Sequence, residues 1–166
     1  MNDEKSLDIS HLSFLIIDDN KYMRSLLSQI LHAFGVRAIS EAIEGADALK
    51  TLQVNLVDVI ICDWAMTPID GIEFIKMLRR DKTNPNRQVP IIMISGFTEA
   101  VRVIEARDAG CNEFLAKPVS AEKLYNRIYN VIKKPRPWIE IASYIGPDRR
   151  RKIDPATFHG PERRKK

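Results

Sequence analysis

Short, apolar, β-rich runs alternate with longer amphipathic stretches from Leu12 to Lys134. The runs are Leu12 to Ile17, Val36 to Ser40, Val57 to Cys62, Val89 to Ile94 and Glu113 to Leu115. Between them apolar residues return at helical spacing: Tyr22, Leu26, Leu27, Ile30, Leu31 and Phe34 first, then Ile72, Ile75, Met77 and Leu78, and finally Leu124, Ile128, Val131 and Ile132. Runs that are apolar at nearly every position have no face to give to water, so they belong to strands covered on both sides. Alternated with helices, they predict an α/β fold, a doubly wound parallel sheet built from five βα units. Polar groups that do chemistry in such a sheet gather at the carboxyl ends of its strands.

The helical pattern stops at Lys133-Lys134, because Pro135-Arg136-Pro137 cannot continue it. Three segments result: a polar lead (1–10), a domain (11–134) and a tail (135–166). The 166 residues, 45% hydrophobic, suit one ordinary core of about 130 residues with an appendage. No apolar run approaches the roughly 20 residues of a membrane span. The opening MNDEKSLDIS is polar and acidic, unlike a signal peptide, so a cytoplasmic protein without membrane insertion is expected. Cys62 and Cys111 lie in or beside apolar strand runs with no metal-ligand spacing, and read as buried reduced thiols.

Charge divides the chain unevenly. The net charge is +4, yet from Pro135 onward nine Lys and Arg face four acids, while Met1 to Lys134 carries seventeen bases and eighteen acids. The basicity therefore belongs to the tail, which holds a phrase that occurs twice: YIGPDRRRK at Tyr144 to Lys152 and FHGPERRKK at Phe158 to Lys166. Each copy sets an acid just ahead of an Arg-Arg pair. Guanidinium forks bond bidentately to phosphate or to the O6/N7 edge of guanine, and the acid can accept from guanine N–H groups. Beyond Trp138, Ile139, Ile141, Tyr144 and Ile145 the tail has little apolar content. The expectation is an extension with no core of its own that stays mobile until something binds it.

Four strand ends carry polar residues that packing alone does not require: Asp18-Asp19 after the first run, Asp63 after the third, Ser95 after the fourth and Lys117-Pro118 after the fifth. Carboxylates converging on one pocket repel one another unless a hard cation such as Mg2+ lies among them. With Mg2+ and the Lys117 ammonium close by, Asp63 could accept a phosphoryl group and the Ser95 hydroxyl could bond its oxygens. The segments IIDDN, ICDWAMTPIDGIEF, IIMISG and FLAKPVS resemble the receiver domain of bacterial two-component response regulators, over about 120 residues. The resemblance implies a CheY-like (flavodoxin-like) fold. It further implies Asp18, Asp19 and Asp63 as Mg2+ ligands, the Ala65 carbonyl as a further one, Asp63 as phosphoacceptor, and Ser95 and Lys117 as its catalytic partners. Phe114 matches an aromatic switch position, and Lys117-Pro118 matches a cis peptide. A sensor histidine kinase or phosphotransfer protein is the implied donor.

The tail's 32 residues are too few and too polar for a helix-turn-helix, which disfavours transcription, and nucleic acid is not the preferred partner. His11, His32 and His159 are too scattered to form a site, and Ala65 stands where a haloacid-dehalogenase-like phosphatase would need a second aspartate, so a turnover enzyme is not expected. Gly146-Pro147-Asp148-Arg149-Arg150 and Gly160-Pro161-Glu162-Arg163-Arg164 resemble the arginine-rich extension of the Cle group of CheY-like proteins. That resemblance implies binding of cyclic di-GMP and action at the flagellar motor. Asp148, Arg149, Arg150, Glu162, Arg163 and Arg164 would contact the nucleotide, with Tyr144 and Phe158 as stacking surfaces. The alternative is a phosphorelay receiver whose basic tail contacts nucleic acid or is incidental.

Overall fold

A computed structural model describes residues 6–150 of the chain. Five parallel strands, β1 (Ser13–Ile17), β2 (Ala38–Ala42), β3 (Val59–Asp63), β4 (Ile91–Ser95) and β5 (Glu113–Ala116), lie in the order β2-β1-β3-β4-β5. Five helices follow them in turn: α1 (Lys21–Ala33), α2 (Gly45–Val54), α3 (Gly71–Arg80), α4 (Ala100–Ala109) and α5 (Ala121–Lys133). This is the doubly wound sheet that the apolar runs predict. The second strand starts two residues later than its run and is mostly exposed, as befits a sheet edge.

The two faces of the sheet are packed separately. Alternation along β1 sends Phe14 and Ile16 to one face, with Leu27 and Leu31 of α1 and Leu124 and Ile128 of α5. Leu15 and Ile17 point the other way, into a cluster with Leu52, Phe74, Ile75, Leu78 and Ala106 from α2, α3 and α4. Helix starts are fixed by side-chain caps: Asn20 for α1, Ser120 for α5, and a reciprocal Asp70–Glu73 capping box for α3. These caps place three helix starts at the same end of the sheet as the strand-end carboxylates. Cys62 and Cys111 are buried free thiols, as expected, and burial pushes Cys111 up to about 12.

The described part of the tail, residues 135–150, departs from expectation. Instead of remaining without structure, Trp138–Ile141 (β6) and Tyr144–Pro147 (β7) pair as an antiparallel hairpin across a turn at Ala142-Ser143. The hairpin has no core of its own, but it closes over the C-terminal ends of α3 and α4 and borrows theirs. The guanidinium groups of Arg79 (5.4 Å) and Arg87 (5.7 Å) both lie against the Trp138 ring. Tyr144 is buried, donates its hydroxyl to the Pro147 carbonyl (2.6 Å) and carries Arg149 over its ring at 4.3 Å.

Arg79 is the keystone of this contact. Its side chain is 1% exposed, and all five of its N–H donors are used on neutral oxygens. Nε and one Nη2 donor reach Gly110 O (3.1 and 3.0 Å), the other Nη2 donor reaches Asn112 Oδ1 (3.0 Å), and Nη1 reaches Arg87 O and Val89 O (2.7 and 2.8 Å). Burial lowers its pKa to about 10, so it stays charged at neutral pH. Gly110 ends α4 at φ +112, and a Cβ there would come 3.0 Å from Arg79 Cγ and 3.2 Å from the Ile145 carbonyl, so the hairpin approaches where no side chain stands. The expectation of a mobile tail weighed only the tail's own apolar residues and missed this surface.

Candidate functional site

The residues singled out at the strand ends come together in space. Asp18 follows β1, Asp63 ends β3, Ser95 ends β4 and Lys117 follows β5, so adjacent parallel strands deliver all four to one edge of the sheet. Carboxylate oxygens of Asp18, Asp19 and Asp63 lie within 4.8 Å of one another. Asp18 and Asp63 are buried and Asp19 is exposed, which leaves the cluster open on one side. Gly71 lets the β3–α3 loop fold tightly beneath it: its amide donates to Trp64 O (2.9 Å), and a Cβ would fall 2.5 Å from the Asp63 carbonyl.

The electrostatics of the cluster favour a cation. Burial, with the neighbouring Asp63 and Asp19 charges, raises the Asp18 carboxyl to about 6, even though the Asn20 amide donates to it at 2.8 Å. Burial also raises Asp63, against the opposing pull of Lys117. The Lys117 ammonium lies 3.0 Å from Asp63 Oδ1, but without the alignment of a hydrogen bond, and that buried oxygen has no hydrogen-bond donor. One ammonium against three clustered carboxylates leaves negative charge in excess, which fits a hard oxygen-liganded cation such as Mg2+. The set contains no soft ligand.

The supporting residues are placed as follows. The Ser95 hydroxyl is buried and accepts from the Phe97 amide (2.9 Å), while Ser95 O accepts from Lys117 N (2.8 Å), tying the ends of β4 and β5 together. Lys117-Pro118 is cis, as is Thr67-Pro68. Phe114 is half-buried against the α2–α3–α4 face, and Ala65 is exposed in the loop after β3. His32 is occupied locally, its Nδ1 lying 2.9 Å from Val36 O.

The tail residues divide into two groups. Phe158, Glu162, Arg163 and Arg164 lie outside the described residues, as does His159. In the first repeat, Asp148 and Arg150 form a two-pronged pair, with Nε to Oδ1 at 3.0 Å and Nη2 to Oδ2 at 2.8 Å, and this pairing lowers the Asp148 carboxyl to about 2. Arg149 bonds Asp108 of α4 at 3.0 Å. Tyr144, expected as an open stacking surface, is instead enclosed at the hairpin–receiver contact with one face already under Arg149. Sequence reasoning passed over Arg79, Glu113, Arg127 and Arg136. Glu113, at the start of β5, is set between Arg127 Nη1 (3.3 Å) and Arg136 Nη2 (3.8 Å). The available signal was an acid opening an otherwise apolar run, with no way to see from sequence what it faced.

Comparison with known proteins bears on the domain and not on the tail. Residues 14–129 match the response regulator receiver domain, so the hairpin lies beyond the match. Chemotaxis protein CheY-3 of Vibrio cholerae is 29% identical over 124 residues, covering 75% of this chain and 94% of its own. Chemotaxis protein CheY of Pseudomonas aeruginosa is 28% identical over 123 residues, 74% of this chain and 98% of its own. Among solved structures, the receiver domain of the Francisella response regulator 1452 superposes with a TM-score of 0.67 at 28% identity, over 76% of this chain and 100% of that one. Chemotaxis response regulator CheY4 of Vibrio cholerae superposes at 0.66 with 29% identity, over 72% and 98%. Receiver domains are signalling modules rather than turnover enzymes; they bind Mg2+ at an acidic pocket and work with histidine kinases or phosphotransfer partners. Among the described residues no helix is long and apolar enough to cross a membrane. With the strand order, the clustered strand-end residues and the match over most of its length in agreement, the chain belongs to the response regulator receiver family.

Proposed function

We propose that this chain is a phosphorylatable receiver (11–134) whose arginine-rich tail (135–166) binds cyclic di-GMP, and that it acts as a signalling adaptor at the flagellar motor. The observation that carries the nucleotide reading is the duplicated Gly-Pro-acid-Arg-Arg phrase. A two-fold ligand with two guanines and two phosphates matches a two-fold set of acids and guanidinium pairs. The pairing of Asp148 with Arg150 supports it chemically: the two parallel N–H donors of that guanidinium stand where the N1–H and N2–H of a guanine edge would bond the same carboxylate. Arg150, with its side chain 84% exposed, is then free to turn to a phosphate or a base. The motor as target rests on the chemotaxis proteins among the relatives and on the tail's resemblance.

In the receiver, an Asp63 carboxylate oxygen attacks the phosphorus of a phosphohistidine or acetyl phosphate. The O–P bond forms as the bond to the leaving imidazole or acetate breaks. Mg2+ held by Asp18, Asp19 and Asp63 would supply charge neutralisation for the carboxylates and the phosphoryl oxygens. The Lys117 ammonium, already 3.0 Å from Asp63, would follow the new negative charge, and the Ser95 hydroxyl, which accepts from the Phe97 amide, would donate its own proton to a phosphoryl oxygen.

Calorimetric titration of the whole chain tests the nucleotide reading. Asp148→Ala and Glu162→Ala make the tail more basic, yet each should weaken cyclic di-GMP binding, by about 1 to 3 kcal/mol per bidentate contact. Tighter binding by these variants, or equal binding of cyclic di-AMP, would mark a merely electrostatic tail and favour nucleic acid. For the receiver, acetyl phosphate with Mg2+ should add one phosphoryl group to the native chain and none to Asp63→Ala.

A further inference from the structure

The first repeat does not stand apart from the receiver; it completes a trough on it. Two hollows of about 560 and 660 Å3 are both lined by Glu113, at the start of the edge strand β5. The one toward α4 has an apolar wall that includes Ile104 and Phe114, and its guanidinium groups come from Arg107 and Arg149. The one toward α5 has the rings of Pro135 and Pro137 for its apolar surface, with Arg127, Lys134 and Arg150 supplying charge. Arg136 and Glu113 border both. The adjacent arginines of the repeat reach both hollows, Arg149 the one toward α4 and Arg150 the one toward α5, and they also share a smaller hollow against the hairpin. Six cationic side chains line the pair of hollows against the carboxylates of Glu113 and Asp148.

We infer that cyclic di-GMP is held between the tail and the receiver in this trough, one guanine in each hollow, so that Arg107 of α4 and Arg127 of α5 are nucleotide-binding residues. This rests on the nucleotide reading proposed above and extends it to residues outside the tail. Each hollow falls within the range of about 300 to 1,000 Å3 that encloses a small molecule, and each pairs an apolar wall with guanidinium groups, the surroundings a purine needs for stacking and edge bonding. The surplus of positive charge suits a ligand with two phosphates. The ion pair of Glu113 with Arg127 holds that guanidinium at the rim before a ligand arrives.

Titration of the full-length protein with cyclic di-GMP, in variants that leave the tail untouched, tests this. Arg107→Ala and Arg127→Ala should each weaken binding at least about fivefold, the lower end of a bidentate contact. Arg37→Ala removes an exposed charge near β2 at the opposite edge of the sheet and should change affinity by less than about twofold. Circular dichroism of each variant checks the fold. Native affinity in both Arg107→Ala and Arg127→Ala would overturn the trough while leaving binding by the tail intact. Equal weakening by Arg37→Ala would also overturn it, as general electrostatics. No binding by the native chain would remove the nucleotide reading itself and the trough with it.

Discussion

Replacing Asp18 by asparagine should make the Mg2+-free protein more stable and the Mg2+-loaded protein relatively less so. The Asp18 side chain is 1% exposed, and burial among like charges raises its carboxyl from the usual 3.8 to about 6. A carboxyl that titrates higher in the folded chain than in the unfolded one keeps its proton longer on folding. Its effect is nil below 3.8, grows unfavourable as pH rises from 3.8 through 6, and is complete above that. The difference corresponds to about 3 kcal/mol lost at neutral pH. The amide introduced by Asp18→Asn does not titrate, and its oxygen can still accept from the Asn20 backbone amide, as the Asp18 carboxylate does at 2.8 Å.

In a chelator at about pH 7.5, the variant should therefore unfold roughly 6 to 12 °C above the native protein, and the two should converge near pH 4. Mg2+ reverses the order of benefit. It binds the folded state only, so it raises the native midpoint by mass action, whereas the variant has lost an anionic oxygen ligand and should gain much less. Thermal unfolding followed by circular dichroism, with chelator and with Mg2+, measures all four quantities. A variant no more stable than the native chain in chelator, or an equal Mg2+ gain in both, would refute the account of the cluster as three carboxylates waiting for a cation.

Further outcomes follow from the hairpin and the core. Arg79→Met should cost about 3 kcal/mol in urea unfolding, because four buried or half-buried oxygens lose a shared donor, and should change Trp138 fluorescence as the ring loses one of its two cationic neighbours. Gly110→Ala places a Cβ at φ +112 against Ile145 and should lower stability by about 1 to 2 kcal/mol and expose the hairpin to proteolysis first. Cys62 and Cys111 should resist alkylation in the native protein up to alkaline pH, since both are buried and burial raises both thiols, and should react fully once unfolded; prompt modification of either would contradict the packing.

The domain was legible because its strands are buried on both faces, which leaves near-continuous apolar runs that only a two-sided sheet explains. The strand-end residues were legible for the same reason: Asp63, Ser95 and Lys117 each end or follow such a run, and strand order brings those ends together. The hairpin was not legible. Trp138 and Tyr144 are too few to fold alone, and what holds them is Arg79, fifty-nine residues before Trp138 and inside a helical stretch where an arginine ordinarily reads as solvated surface. Glu113 was hidden likewise, since its partners Arg127 and Arg136 come from a helix and a linker. Long-range polar pairing leaves no period in a sequence.

Strand β5 joins the two halves of the proposed function. Lys117 follows its last residue, and Glu113, which lines both hollows, is its first. Four residues at about 3.3 Å each separate the acidic cluster from the trough by roughly 13 Å. The backbone between them is not free to slide, because β5 is paired to β4 from Ile92↔Glu113 to Ser95↔Ala116, and the Lys117 amide is bonded to Ser95 O. A signal passing between the two proposed sites would then travel through side chains. Phe114 is suitably placed: it lines the hollow toward α4, packs half-buried against the core on the same face, and stands three residues before Lys117. A ligand pressed against that ring limits its rotamers, and the same ring bears on the core beneath α4, whose leading loop carries the Phe97 amide bonded to Ser95. Strand β5 is thus the element shared by the proposed phosphorylation site and the proposed nucleotide site, with no movement of the sheet required.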